Sequence, residues 1–135
     1  MTAAYLLDTN TVSYHIANHP PQVRRKLESI GGSAIAISAV TEAELRYGVA
    51  RNPGAMRRRA SVESFLANAT IIPWDSAAAQ AYGLLRAAQE RKGQPLSNED
   101  LMIAAHALSL GLVLITNDQA FRFVEGLKTE DWTLL

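Results

Sequence analysis

The sequence predicts an α/β fold, a three-layer sandwich in which a central parallel sheet of about four or five strands is flanked by helices. Two observations carry that expectation. Short apolar runs at residues 3–7, 34–38, 70–74 and 112–116 read as buried strands. Longer segments with apolar residues at helical spacing separate them. Strands that alternate with helices form parallel sheets covered on both faces.

Taken in order, the run 3–7 is a strand bounded by Asp8-Thr9-Asn10-Thr11, and a short helix follows it, ending near Asn18-His19. Pro20-Pro21 suits the first turn of the next helix, whose apolar face is Val23, Leu27 and Ile30, and Gly31-Gly32 stops it. The strand 34–38 leads into a helix over about 40–51, and Asn52-Pro53-Gly54 breaks the chain. A helix from about Ala55 carries Val62, Phe65, Leu66 and Ala69 at helical spacing. After the strand 70–74, Asp75 caps a long helix with Ala78, Ala81, Tyr82 and Leu85 on one face and Gly93 as its stop. A loop spans 94–97. The stretch LMIAAHALSL at 101–110 is apolar nearly all round, which marks a deeply buried helix; Gly111 ends it and the strand 112–116 follows.

With 135 residues and no linker, repeat or low-complexity tract, the chain reads as a single domain over 1–135. The absence of cysteine excludes disulfides and thiolate metal sites. The first apolar run is too brief for a signal-peptide core, and no run approaches the ~18 apolar residues of a membrane span. A cytoplasmic protein with no membrane partner is expected. Formal net charge is zero, yet Arg24-Arg25-Lys26 and Arg57-Arg58-Arg59 are local basic clusters.

Four carboxylates, Asp8, Glu44, Asp100 and Asp118, stand just past strands or near the openings of helices. Ligands of open α/β sheets bind at the carboxyl ends of the strands, so the fold can gather these four on one edge. Each acid also has a structural explanation. Asp8 can cap a helix, Thr41-x-x-Glu44 and Ser97-x-x-Asp100 fit capping boxes, and Asp118 suits a turn. At about 100° per residue, Glu44 falls beside Val40 and Tyr47, whereas Glu42 points to the opposite, solvent side. Asp100 borders the apolar face of Leu101, Ala104, Ala105 and Leu108. Converging acids repel strongly unless a cation sits among them, and an oxygen-only set suits a hard ion such as Mg²⁺ or Mn²⁺. His15, His19 and His106 share no ligand spacing, and His106 reads as a packed core histidine.

The stretches LLDTN at 6–10, ISAVTEAELRYGV at 37–49, NEDLMIAAHALSLGLVLITND at 98–118 and GLKTEDW at 126–132 resemble PIN-domain nucleases, in particular VapC-type toxins of bacterial toxin–antitoxin pairs. The resemblance covers nearly the whole chain. It implies an Mg²⁺- or Mn²⁺-dependent endoribonuclease that hydrolyses RNA phosphodiesters with an activated water. Metal would be held by Asp8 and Asp100, with Glu44 and Asp118 completing the shell directly or through water. Thr9, Asn10, Thr116 and Asn117 are supporting polar neighbours. The resemblance also implies a cognate antitoxin and a homodimer.

Arg57, Arg58 and Arg59 are candidate contacts to RNA backbone, while Arg24–Lys26 reads as a solvated helix face. Two rivals differ in class. A haloacid-dehalogenase-like phosphatase needs a second Asp where this chain has Asn10. A catalytically inactive PIN-like module that binds RNA or protein is opposed by the complete acid set.

Overall fold

The computed structural model describes residues 3–93 and 96–134. Its strands are β1 (Tyr5–Leu7), β2 (Ile35–Ser38), β3 (Ile71–Ile72), β4 (Val113–Ile115) and β5 (Thr129–Glu130). They form one sheet of order β3-β2-β1-β4-β5, parallel throughout. The helices are α1 (Thr9–Ala17), α2 (Pro21–Ile30), α3 (Ala39–Ala50), α4 (Met56–Asn68), α5 (Ser76–Lys92) and α6 (Asn98–Leu110). Short 3₁₀ turns at Gly32–Ala34 and Gln119–Phe123 complete the described structure.

Alternation along the strands builds two cores. Leu6, Ala36 and Leu114 face one side and pack with Leu85 of α5 and with Leu101, Ile103, Ala104 and Ala107 of α6. Leu7, Ile35, Ile37 and Ile115 face the other side, against Val12, Val23, Leu45, Val62 and Leu66 from α1 to α4. The sheet is therefore the middle of three layers, as expected. Small side chains on α6 let α5 pack along its length. Both helices end on glycines in the left-handed region, Gly93 at φ 66° and Gly111 at φ 68°.

The sequence reading missed β5 and both 3₁₀ turns, at Gly32–Ala34 and at Gln119–Phe123. β5 is an exposed two-residue edge strand with no apolar run to announce it. The 3₁₀ turn after β4 is held by buried Phe121 and Val124, three residues apart. β3 is also shorter than the 70–74 run, because only Ile71 and Ile72 pair with β2. Of the loop expected at 94–97, Gln94 and Pro95 lie outside the described residues. Among the described residues, no helix is long and apolar enough to cross a membrane.

This topology fixes where a ligand can sit. Leu7 is in register with Ile37 on one side and Ile115 on the other, so three central strands end together. From β1 the chain runs outward through β2 and β3, then returns to place β4 against the opposite side of β1. The switch point between β1 and β4 opens a crevice at their carboxyl ends.

Candidate active site at the carboxyl edge of the sheet

Asp8 is the residue after β1 and lies directly on that crevice. Its N–H donates to the Ile115 carbonyl (3.0 Å), extending the β1–β4 ladder by one rung. Its Oδ1 accepts from the Thr11 N–H (2.8 Å) and caps α1. The carboxyl group is buried, with 5% of its residue exposed. Burial is the main force raising its pKa above the ordinary range; the hydrogen bond from Thr116 and the α1 cap pull it down, and Asp118 pushes it up.

Thr116, the residue after β4, is buried beside it. Its hydroxyl binds the Asp8 carboxylate and accepts from the Asp118 N–H (3.0 Å). One short side chain thus ties the ends of β1 and β4 together. Asp118 Oδ1 accepts from the Ala120 N–H (2.9 Å) and starts the 3₁₀ turn, so its turn role is real, but it stands in the same crevice.

Asp100 enters from the other layer. Ser97 caps α6 and accepts from the Asp100 N–H (3.1 Å), which fits the expected box. Burial again raises the Asp100 pKa most, and Asp118, Glu44 and Asp8 each raise it further. That carboxyl group therefore feels the other three acids, although they come from well-separated parts of the sequence.

Glu44 departs from its expected structural role. Ser38, at the end of β2, caps α3 through the Val40 N–H (3.0 Å), so the helix begins at Ala39. Thr41 is then an interior, fully buried residue, and Glu44 lies in the second turn. No capping box forms around it. Instead Glu44 Oε1 accepts from the Thr9 hydroxyl, which joins α3 to the start of α1. Glu42 pairs with Arg46 (2.9 Å), and Arg46 also reaches Glu63 (3.1 Å), all away from the crevice. The expected phase does not hold as stated: the buried face of α3 is Val40, Thr41 and Leu45, Tyr47 is exposed, and Glu42 and Glu44 are both half-buried, although they point to different neighbours.

The remaining candidates sort unevenly. Asn10 is exposed on the first turn of α1. Asn117 donates to the Tyr14 hydroxyl (3.1 Å), which pins α1 to the β4 end. Arg58 donates to Ser13 (3.2 Å) and faces the same cavity as Glu44 and Thr9. Arg59 faces a different cavity with Arg46 and Glu63, and Arg57 is exposed. Arg24 is no solvated charge: it donates to the His15 (2.8 Å) and Ile16 (3.3 Å) carbonyls at the C-terminal end of α1. His106 is fully buried with Nδ1 2.8 Å from Ser38 Oγ, a core role as expected. Trp74 and Trp132 pack against Tyr82 and Tyr5.

The sequence profile of the PIN domain family matches residues 5–127. The chain belongs to the PIN-domain family. Within that family it is similar to the tRNA(fMet)-specific endonuclease VapC of Shigella flexneri, with 38% identity over 96% of this chain and 98% of the relative. Among solved structures, VapBC from Salmonella typhimurium bound to DNA matches with a TM-score of 0.89 and 37% identity, covering 96% of this chain and 98% of that one. VapBC2 of Rickettsia felis, bound to a DNA fragment from its promoter, matches with a TM-score of 0.87 and 34% identity, over 98% and 99% of the two chains. This PIN chain is thus a nuclease of the VapC type by descent as well as by the order of its motifs.

Among the described residues, no three acidic or histidine side chains stand close enough to form a ready-made metal cage. The donor set nevertheless fits a hard cation. Every group at the crevice offers oxygen, and Mg²⁺ keeps several waters while taking only one or two carboxylates directly. The raised pKa values of Asp8 and Asp100 come first from burial and then from neighbouring carboxylates.

Proposed function

We propose that this protein is the toxin of a toxin–antitoxin pair and hydrolyses RNA phosphodiesters at the crevice between β1 and β4. The observation that carries the reading is the gathering of acids at this edge: Asp8 and Asp118 stand at the ends of β1 and β4, and the Asp100 carboxyl, raised chiefly by burial, is raised further by Asp118, Glu44 and Asp8. Such mutual repulsion is relieved by a divalent cation, Mg²⁺ or Mn²⁺. When bound, the ion supplies Lewis-acid chemistry, lowering the pKa of an attacking water and offsetting charge on the phosphate.

The chain's own residues divide the work. Asp8, oriented by the Thr11 cap and the Thr116 hydroxyl, would hold the ion together with the Asp100 carboxylate. Glu44, fixed by Thr9, and Asp118, fixed by Ala120, complete the shell directly or through ordered water. Thr116 keeps Asp8 and Asp118 at a fixed separation. Fixed acceptors on rigid strand ends need no reorganisation as charge develops.

The reading brings three further proposals. The substrate is RNA, and the relatives' names make initiator tRNA the first candidate to assay beside total RNA. A cognate antitoxin silences the enzyme, in keeping with the toxin–antitoxin complexes among its structural neighbours. The toxin acts in the cytoplasm as a homodimer. Purified protein should cut RNA in Mg²⁺ or Mn²⁺ and lose that activity in EDTA, while Asp8→Asn should be inert. Cleavage that survives EDTA in a clean preparation would contradict the mechanism.

A further inference from the structure

Beside the crevice, a cavity of about 290 Å³ lies between α1, α3 and the start of α4. Its walls include Thr9, Ser13, Glu44, Arg51, Asn52 and Arg58. We propose that this cavity is a phosphate subsite, in which Arg51 and Arg58 hold a backbone phosphate of the RNA next to the linkage being cut. The proposal rests on the ribonuclease reading and adds to it how the strand is held.

Three observations support it. First, the charges are not balanced internally. Arg46, Arg86 and Lys92 each pair with a glutamate, whereas among the described residues neither Arg51 nor Arg58 forms an ion pair. Secondly, both guanidinium groups are anchored by neutral partners. Arg58 donates to the Ser13 hydroxyl (3.2 Å), and Arg51 lies over the Tyr47 ring, 5.6 Å from its centroid. Anchoring of this kind lowers the ordering cost of binding and leaves most of each donor fork available, in a geometry that suits phosphate. Thirdly, the cavity shares Thr9 and Glu44 with the crevice. Any polymer lying across the acids must run over this wall or away from it, and the cationic side is the favourable path.

Helical geometry explains why only one member of the arginine run takes part. Successive residues on α4 are turned by about 100°, so Arg58 facing the cavity sends Arg59 toward Arg46 and Glu63. Arg51 reaches the same cavity because the chain turns back through residues 52–55 between α3 and α4.

The test is binding of a fluorescent 20-nucleotide single-stranded RNA of mixed sequence to the full chain, titrated over salt concentration. The proteins compared are wild type, Arg51→Gln, Arg58→Gln, the double variant and the control Arg91→Gln on α5. Each cavity variant should weaken binding roughly tenfold, as expected for a lost charge-assisted hydrogen bond. For single strands the salt slope should fall by about 0.7 per phosphate contact removed. On RNA that wild type cuts, KM should rise while kcat stays close to its original value, and melting temperatures should match. Unchanged affinity and salt slope in the double variant, with wild type still binding and cutting RNA, would overturn the subsite alone. Lost antitoxin inhibition with undiminished RNA affinity would overturn it too and assign the cavity to the antitoxin. Wild type that neither binds nor cuts RNA would sink the ribonuclease reading itself.

Discussion

Replacing Asp8 by Asn should make the metal-free protein more stable and the enzyme inactive. Asn keeps an oxygen for the Thr11 N–H, and the two residues are about equal as helix caps. Removing the charge from the N-cap of α1 loses ~0.3–1 kcal/mol of helix-dipole stabilisation. Against that, the charged form is disfavoured by burial and by Asp118. Because burial raises the folded pKa above the unfolded one, the ionised form costs stability at neutral pH and opposes the dipole gain. For a chain of this length, 1 kcal/mol corresponds to roughly 3–5 °C in melting temperature. Thermal melts in EDTA at pH 7 should therefore place Asp8→Asn above wild type. Added Mg²⁺ or Mn²⁺ should reverse the order, because wild type gains ~2.7 kcal/mol when the ion is present at a hundred times its Kd. RNA cleavage should fall by at least ~100-fold. A variant that melts below wild type in EDTA would refute the electrostatic reasoning, and one that cuts RNA at the wild-type rate would refute the role of Asp8.

Glu44→Gln should reduce kcat by ~10-fold or more, as expected for a group that completes a metal shell, whereas Glu42→Gln on the opposite side of α3 should leave RNA cleavage nearly unchanged. Thr116→Val removes the hydroxyl shared by Asp8 and Asp118 while keeping the strand's shape; kcat should drop ~10-fold with the fold intact, and Thr116→Ser should restore it. His106 and His15 have pKa values lowered by burial, so the unfolded chain binds the extra proton first. Stability should hold above about pH 6.5 and decline below it, and the decline should be shallower in His106→Asn. Asp8 and Asp100 act with the opposite sign in metal-free protein, their cost fading as pH falls through their raised values, so the wild-type minus His106→Asn difference is the quantity to follow.

Asp8, Asp100 and the central strands were legible because each depends on local chemistry. The apolar run before Asp8 forms β1 with Asp8 as the α1 cap, and the apolar 101–110 segment is largely buried against the sheet and α5. Glu44 was assigned by a helical phase that took Tyr47 as a core residue, which it is not, and was given a capping box it does not have. The reason is that β2 runs into α3 without a loop, so Ser38 takes the cap three residues before Thr41. β5 left almost no local trace: Thr129 and Glu130 are exposed and pair only because Leu114 and Ile115 offer an open edge. The signal that could have found it is Trp132, whose burial against Tyr5 ties down the chain just after that strand. Arg51 was not singled out for a related reason. Which arginine faces the acids depends on the angle between α3 and α4, which no spacing along one helix encodes.

The structural and functional explanations of the acids were set up as rivals, and for three of the four they are not. A carboxylate has two oxygens, and capping uses one. Asp8 gives Oδ1 to Thr11 and Asp118 gives Oδ1 to Ala120, while Asp100 meets the Ser97 cap through its backbone N–H. The bonds at Asp8 and Asp118 fix the direction of the carboxylates from which they come. A free acid on a loop would have to lose side-chain freedom on meeting a cation; these have already lost it on folding. The positive ends of α1 and α6 point at the same edge and favour the ionised forms there, against the burial that opposes them. A junction between strand and helix is therefore a place where the fold can hold negative charge, nearly immobile and incompletely neutralised. In the proposed mechanism, the caps supply the rigidity for metal binding at this edge.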